Sequence, residues 1–163
     1  MPTSVHAPEI GLLLRLLEET YRRKAWHGPN LRGAIRGLDI RVAAWRPAPG
    51  RHNIWEIVVH CAYWKYAVRR RILGEKRGAF PIKGSNWFVR PDAVSPHAWR
   101  DDIALLDDMH RRLSTAVASL SPRDLEKVAS GSRLPNLAVI SGAAAHDVYH
   151  AGQIQLLKRL ARG

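Results

Sequence analysis

A chain of 163 residues suits one domain, spanning residues 1–163, and can enclose a real core. Its 46% hydrophobic and 25% charged residues are ordinary for a globular protein, no apolar run nears the ~20 residues of a membrane span, and the single Cys61 excludes an intrachain disulfide. The net charge of +12 makes nucleic acid or another anionic partner a function class to weigh. The opening stretch MPTSVHAPEIGLLLRLLEE has neither a basic leader nor a long apolar run, so a cytoplasmic location is the expectation.

Four long helical segments are expected, with little that alternates like a strand. The first runs from Pro8 to about Ala25, with Ile10, Leu13, Leu14, Leu17 and Tyr21 at helical spacing. Gly28-Pro29 ends it, and short helical pieces follow over Asn30–Gly37 and Asp39–Trp45. The second runs from Ile54 to Leu73. Asn53 is its N-cap, Glu56 completes a capping box, Ile57, Cys61, Trp64, Val68 and Ile72 form an apolar stripe, and Gly74 stops it. The third starts with Ser95 as cap and Pro96 at its first position, and ends before Ser121-Pro122, where Asp124 marks a brief extra turn. The fourth starts after Asn136 and runs to about Ala161. Ile140, Ala143, Asp147, His150, Ile154 and Leu157 share one face, with His146 beside them. The basic groups Arg22–Lys24, Arg69–Arg71 and Lys158–Arg162 fall where helices close, and cations there offset the helix dipole.

The link over residues 74–94 is long for a structureless connection. It can span the roughly 30 Å length of a 20-residue helix, so a crossover is expected, with the second and third helices running the same way. The fold expected is an all-α, up-down-down-up four-helix bundle in which the second and fourth helices are antiparallel.

His146 and His150 stand four residues apart, which puts both rings on one helix face. A single cation can bridge such a pair, although chance also produces this spacing. Small neighbours (Gly142, Ala143, Ala144, Ala145, Ala151 and Gly152) leave volume that a plain core helix would fill with Leu or Ile. His60, beside the inner stripe of the second helix, is the candidate third ligand. Three imidazoles with an open position describe a catalytic site rather than a closed structural one. Asp147 could orient His60 or pair with an arginine, and Gln153 could touch the site. Cys61 reads as a core thiol. His6, His27, His52 and His97 sit at termini or loop edges, and His110 sits among charges on a solvated face. Trp55, Trp64 and Trp99 read mostly as core. Asn86, Trp87 and Phe88 could fold over the site, although a plain crossover is the simpler expectation.

Two stretches, HCAYWKYAVRRRILGE from His60 and SGAAAHDVYHAGQIQLLKR from Ser141, resemble the DinB-like superfamily, which includes the YfiT-like proteins. The lead-in WRPAPGRHNIWEIVVH at Trp45 and the helix spacing extend the resemblance over nearly the whole chain. The resemblance implies a four-helix bundle, often a homodimer, holding a divalent metal, commonly nickel or zinc. A helix-two histidine and two helix-four histidines hold that metal, and these match His60, His146 and His150. It also implies metal-dependent chemistry of the thiol S-transferase type, with a low-molecular-weight thiol as cosubstrate, or of the hydrolase type.

The leading expectation is therefore a metal-dependent enzyme acting on an unidentified small molecule. Its metal would serve as a Lewis acid or lower the pKa of a thiol or water, with Asp147 as a candidate supporting group. The alternative is a basic helical module that binds nucleic acid or another anion and carries a structural or vestigial metal.

Overall fold

The computed structural model describes residues 6–91 and 95–163. The first five residues, part of the stretch read for a signal, and the last three of the long link lie outside the described residues. The described chain is all-helical: α1 (Pro8–Tyr21), α2 (Leu31–Ala34), α3 (Ile40–Ala44), α4 (Ile54–Leu73), α5 (Pro96–Ala118), α6 (Pro122–Leu125) and α7 (Asn136–Leu160). Its only β-type contact, among those residues, is an isolated bridge between Val128 and Pro135. None of the helices is long and apolar enough to cross a membrane.

The ends of these helices follow local chemistry. The Asn53 side chain accepts the Glu56 N–H at 2.8 Å to open α4, and Gly74, at φ 69°, closes it in the left-handed conformation that glycine adopts without strain. The Glu56 carboxylate does not complete the expected capping box. It is taken by Arg46 and His52 instead. Ser95 caps α5 through the Ala98 N–H, with Pro96 at the first position. Helix α1 stops at Tyr21, short of Ala25, because the N–H groups of Arg22 and Arg23 both turn to the Glu18 carbonyl. Arg22–Lys24 therefore lie past the helix end, while Arg70 and Arg71 in α4 and Lys158 and Arg159 in α7 do occupy last turns.

Packing divides the core into two clusters. One joins Trp55, Val58 and Cys61 of α4 with Trp99 and Leu106 of α5, Ala151 and Ile154 of α7, and Phe88 of the link. The other joins Ile10, Leu13 and Leu17 of α1 with Val68 and Ile72 of α4, Leu113 and Val117 of α5, and Ile140 and Ala144 of α7. Helix α4 is buried nearly all round, more than a single apolar stripe implies, because α3, α5, α7 and the link cover it from different sides.

A polar chain crosses this interior. Lys65 of α4 and Asp147 of α7 are 2% and 1% exposed and form a direct ion pair. Lys65 Nζ also lies 4.8 Å from the centroid of the Tyr21 ring, and the Tyr21 hydroxyl donates to Asp107, which in turn accepts from Arg32. His110, expected on a solvated face, is buried instead: it stacks on Tyr21 at 3.8 Å and its Nε2 contacts Glu18 at 2.9 Å. The flanking charges Asp108, Arg111 and Arg112 that suggested exposure pair with one another on the outer side.

Removing one partner from a buried ion pair strands the other in a medium that cannot solvate it. Lys65→Met is expected to lower unfolding stability in urea by about 3–5 kcal/mol. The double variant Lys65→Met/Asp147→Leu should recover most of that loss, because apolar replacement of both members removes the stranded charge.

Candidate metal centre

Helix α4 presents His60 and α7 presents His146 and His150, and the three rings meet. His60 and His150 are buried and His146 is half-buried. One ring nitrogen from each lies within 4.8 Å of the others. His146 Nε2 is 3.1 Å from His60 Nε2 and 3.1 Å from His150 Nε2.

The outer nitrogens fix how these rings face. His60 Nδ1 lies 2.8 Å from the Asn86 carbonyl oxygen, and His150 Nδ1 lies 2.7 Å from Gln153 Oε1. Both partners are acceptors, so each Nδ1 carries the proton and each Nε2 is left as a bare lone pair. His146 can offer at most one Nε2 proton to its two Nε2 neighbours. At least one of the 3.1 Å contacts therefore has no proton along it to hold the two nitrogens together, an arrangement that a shared cation resolves. The residues present fit a divalent metal on this ground, and an acceptor behind each of two imidazoles is the usual support for metal-ligating histidine.

The electrostatics agree. Burial, followed by the neighbouring His150 and His60, pushes His146 down to about 3. Burial and then His60 push His150 down to about 4, and burial lowers His60 as well. His146 and His150 stay neutral, the form a metal requires, well into the acid range, and His60 is shifted in the same direction. A second grouping of Cys61, His146 and Asp147 also falls within ligating distance. It is the poorer donor set: burial raises the Cys61 thiol well above its usual range, and Asp147 is committed to Lys65.

Asp147 does not carry the Nδ1 of His60. That place belongs to the Asn86 carbonyl, and the partner of Asp147 is a lysine, not an arginine. Gln153 does reach the site. Of the tryptophans, Trp55 and Trp99 are core, while half-buried Trp64 lines the cleft over the histidines. The space there does not come from the small residues of α7: Gly142, Ala145 and Gly152 are exposed, and Ala143, Ala144 and Ala151 pack into the core.

The link contributes more than a crossover. Trp87 N–H bonds to the Ser85 carbonyl at 2.8 Å, closing a three-residue turn around Asn86, whose φ is 63°. Asn tolerates that left-handed backbone better than most residues. The turn aims the Asn86 carbonyl at His60 and its side-chain Oδ1 at Trp64 Nε1, 2.9 Å away. Trp87 stacks on His60 at 3.9 Å and on His52 at 3.7 Å. His52 Nδ1 in turn contacts Glu56, which Arg46 grips through both carboxylate oxygens. Burial works to raise the Glu56 carboxyl, but the bonds from Arg46 and His52 outweigh it and hold the group below its ordinary value. No periodic sequence signal marks Asn86, Trp87 or His52. The one available hint is the turn-forming Gly-Ser-Asn before the paired aromatics.

The lowered histidines give the metal-free protein an acid sensitivity with a definite window. In the unfolded chain His146 and His150 take up protons near pH 6.5, whereas in the folded chain they do so only near 3 and 4. The unfolded state binds more protons between those limits, so stability is full above about pH 6.5 and is lost as pH falls toward 4 and then 3. Thermal midpoints of the metal-free protein should fall through this range. His146→Gln should reduce the slope without abolishing it, since His110, held at about 4 by burial and Lys65, shares the window.

Comparison with curated proteins and with solved structures gave no match. A family model for the DinB superfamily matches residues 25–154, which include α4, the link, α5 and most of α7. That span exceeds half of the chain and takes in His60, His146 and His150, and the chain belongs to the DinB superfamily.

Proposed function

We propose that this protein is a metal-dependent enzyme whose divalent ion, nickel or zinc, is held by His60, His146 and His150. The observation that carries the reading is the pair of Nδ1 acceptors, Asn86 and Gln153, which leave the Nε2 lone pairs of His60 and His150 turned toward His146. The four long helices are read as an up-down-down-up bundle. In support, Trp55 near the start of α4 meets Trp99 near the start of α5, while Val68, Ile72, Leu113 and Val117 share a cluster at the other end. Assembly as a homodimer belongs to the same reading, with exposed Leu12 and Leu16 on α1 as candidate contact surface.

The cleft over the histidines has a volume of about 770 Å³. Among the described residues, neither Asp nor Glu lines it. Asp147 faces Lys65 and Glu56 faces Arg46 and His52, so neither carboxylate is free to act as a general base. A metal lowers the pKa of bound water as well as of a bound thiol, but the thiol starts several units more acidic, so it becomes a nucleophile with less help where no carboxylate stands ready as a base. Transfer of a low-molecular-weight thiol to an electrophile is therefore favoured over hydrolysis. A metal held there would supply Lewis acidity and lower the pKa of a group placed at the open position. The chain itself shapes the cleft: Trp87 and Trp64 wall off His60, and Gln153 holds the His150 ring, with its Nε2 donating to the Tyr149 hydroxyl at 3.1 Å.

Elemental analysis after loading with nickel or zinc should find about one divalent ion per chain. His60→Ala and His150→Ala should lose it, and Gln153→Ala should weaken metal affinity by about 10–100-fold. A wild-type chain that takes up no divalent ion would sink the proposal.

A further inference from the structure

The lining of the cleft says what kind of molecule it accepts. Its walls are apolar and aromatic: Ile57 of α4, Trp64, Trp87, and Leu156 and Leu157 of α7. Leu156 is 58% exposed and Tyr149 is 63% exposed, and both line the cleft, so large apolar surface faces water there. A ligand body that covered it would gain the hydrophobic term.

One arginine borders this apolar space. Arg51 lines the cleft from the turn between α3 and α4. Its backbone is anchored on both sides: its N–H bonds to the Ala48 carbonyl at 3.1 Å, and its carbonyl accepts Arg46 Nη1 at 2.8 Å. Arg46 itself is tied to buried Glu56. The Arg51 side chain, by contrast, has no acidic partner among the described residues, and no acid lines the cleft. The cleft thus offers a guanidinium carried on an anchored backbone, an unneutralised field and an apolar wall. Guanidinium matches a carboxylate in geometry as well as charge.

We propose that the substrate is a small organic anion: an aromatic or branched hydrocarbon body seated on Trp64, Tyr149 and Leu156, with a carboxylate directed to Arg51. The proposal rests on the reading of this cleft as the active site, and it adds the substrate class. Arg51 binds and orients, and the rings of Trp64 and Trp87 set the body beside the histidines.

Calorimetric binding of 2-naphthoate, its neutral isostere 2-naphthamide, and acetate separates the two requirements. Each is measured on protein loaded with zinc and on protein stripped by a chelator, with metal content read separately by elemental analysis. Naphthoate should bind at least about fivefold more tightly than either naphthamide or acetate in both preparations. Arg51→Gln, an exposed position whose change should leave the thermal midpoint unaltered, should lower naphthoate affinity by about fivefold or more and leave naphthamide unaffected. Leu156→Asp should weaken both naphthyl ligands. Naphthamide binding as tightly as naphthoate, or naphthoate affinity indifferent to Arg51→Gln, would overturn the proposal. So would naphthoate binding that appears only with zinc, since the carboxylate would then go to the metal and not to Arg51. Failure of the chain to take up zinc would count against the metal reading alone, because the stripped protein still decides the substrate class.

Discussion

A buried lysine and a buried aspartate hold α4 and α7 in register. Neither Lys65 nor Asp147 has appreciable contact with water, and each is tolerable there only because the other is present. Among the described residues Asp147 Oδ1 has no further partner, so the pair relies on its one direct contact. A slip of one residue along either helix would leave two uncompensated charges in the core. The same register sets His60, five residues before Lys65, against His146, next to Asp147. The ion pair therefore selects one alignment of the two helices, and the meeting of three imidazoles is a consequence of that alignment. A core of Leu and Ala alone would penalise a slip far less.

What the sequence makes legible is what repeats at helical period or sits at a helix end. Asn53 and Gly74 mark α4 at both limits because a cap and a left-handed stop are local chemistry. His146 and His150 are readable because four residues is one helical turn, and His60 because its neighbours establish an inward face. The rest depends on contacts between residues distant in sequence. The Asn86 carbonyl reaches His60 across 26 positions, through a backbone atom that no side-chain identity announces. His110 looks exposed among its charged neighbours, but its burial depends on Tyr21 and Glu18 of a different helix. Asp147 follows the same logic: its inward face is readable from the period, while Lys65 as its partner is not. The small residues of α7 show the opposite failure. Composition near the histidines suggests empty volume there, whereas the exposure of Gly142, Ala145 and Gly152 puts them on the outer side of the helix.

The electrostatics of the interior divide into two compartments. Around Lys65 and Asp147, and around Glu56 with Arg46 and His52, opposite charges are matched and the side chains are committed. Around the three histidines the nearest carboxylate, Asp147, is committed to Lys65, and burial together with the neighbouring imidazoles disfavours protonation of the rings. The +12 net charge is thus a poor guide to the centre. Several arginines, among them Arg15, Arg22, Arg69, Arg111 and Arg112, are spent in pairs at the surface, while the one that borders the cleft is held by its backbone and left open at its tip.

The turn at Asn86 divides the long link into two parts with different freedom. Residues 74–79 run exposed, tied to α4 by Glu75, which pairs with Arg69, and by Ala79, whose N–H bonds to the Tyr66 hydroxyl. Between Gly84 and Arg90 most residues have an address, exposed Val89 excepted. Gly84 lies against the Phe88 ring, Asn86 and Trp87 hold His60, Phe88 is buried, and Arg90 bonds to Asp102. A change of length is therefore cheapest between Glu75 and Ala79, while an insertion of one residue between Gly84 and Asn86 would rotate the carbonyl away from His60. A connection that looks like a spacer carries, in its second half, a fixed reading frame for the site.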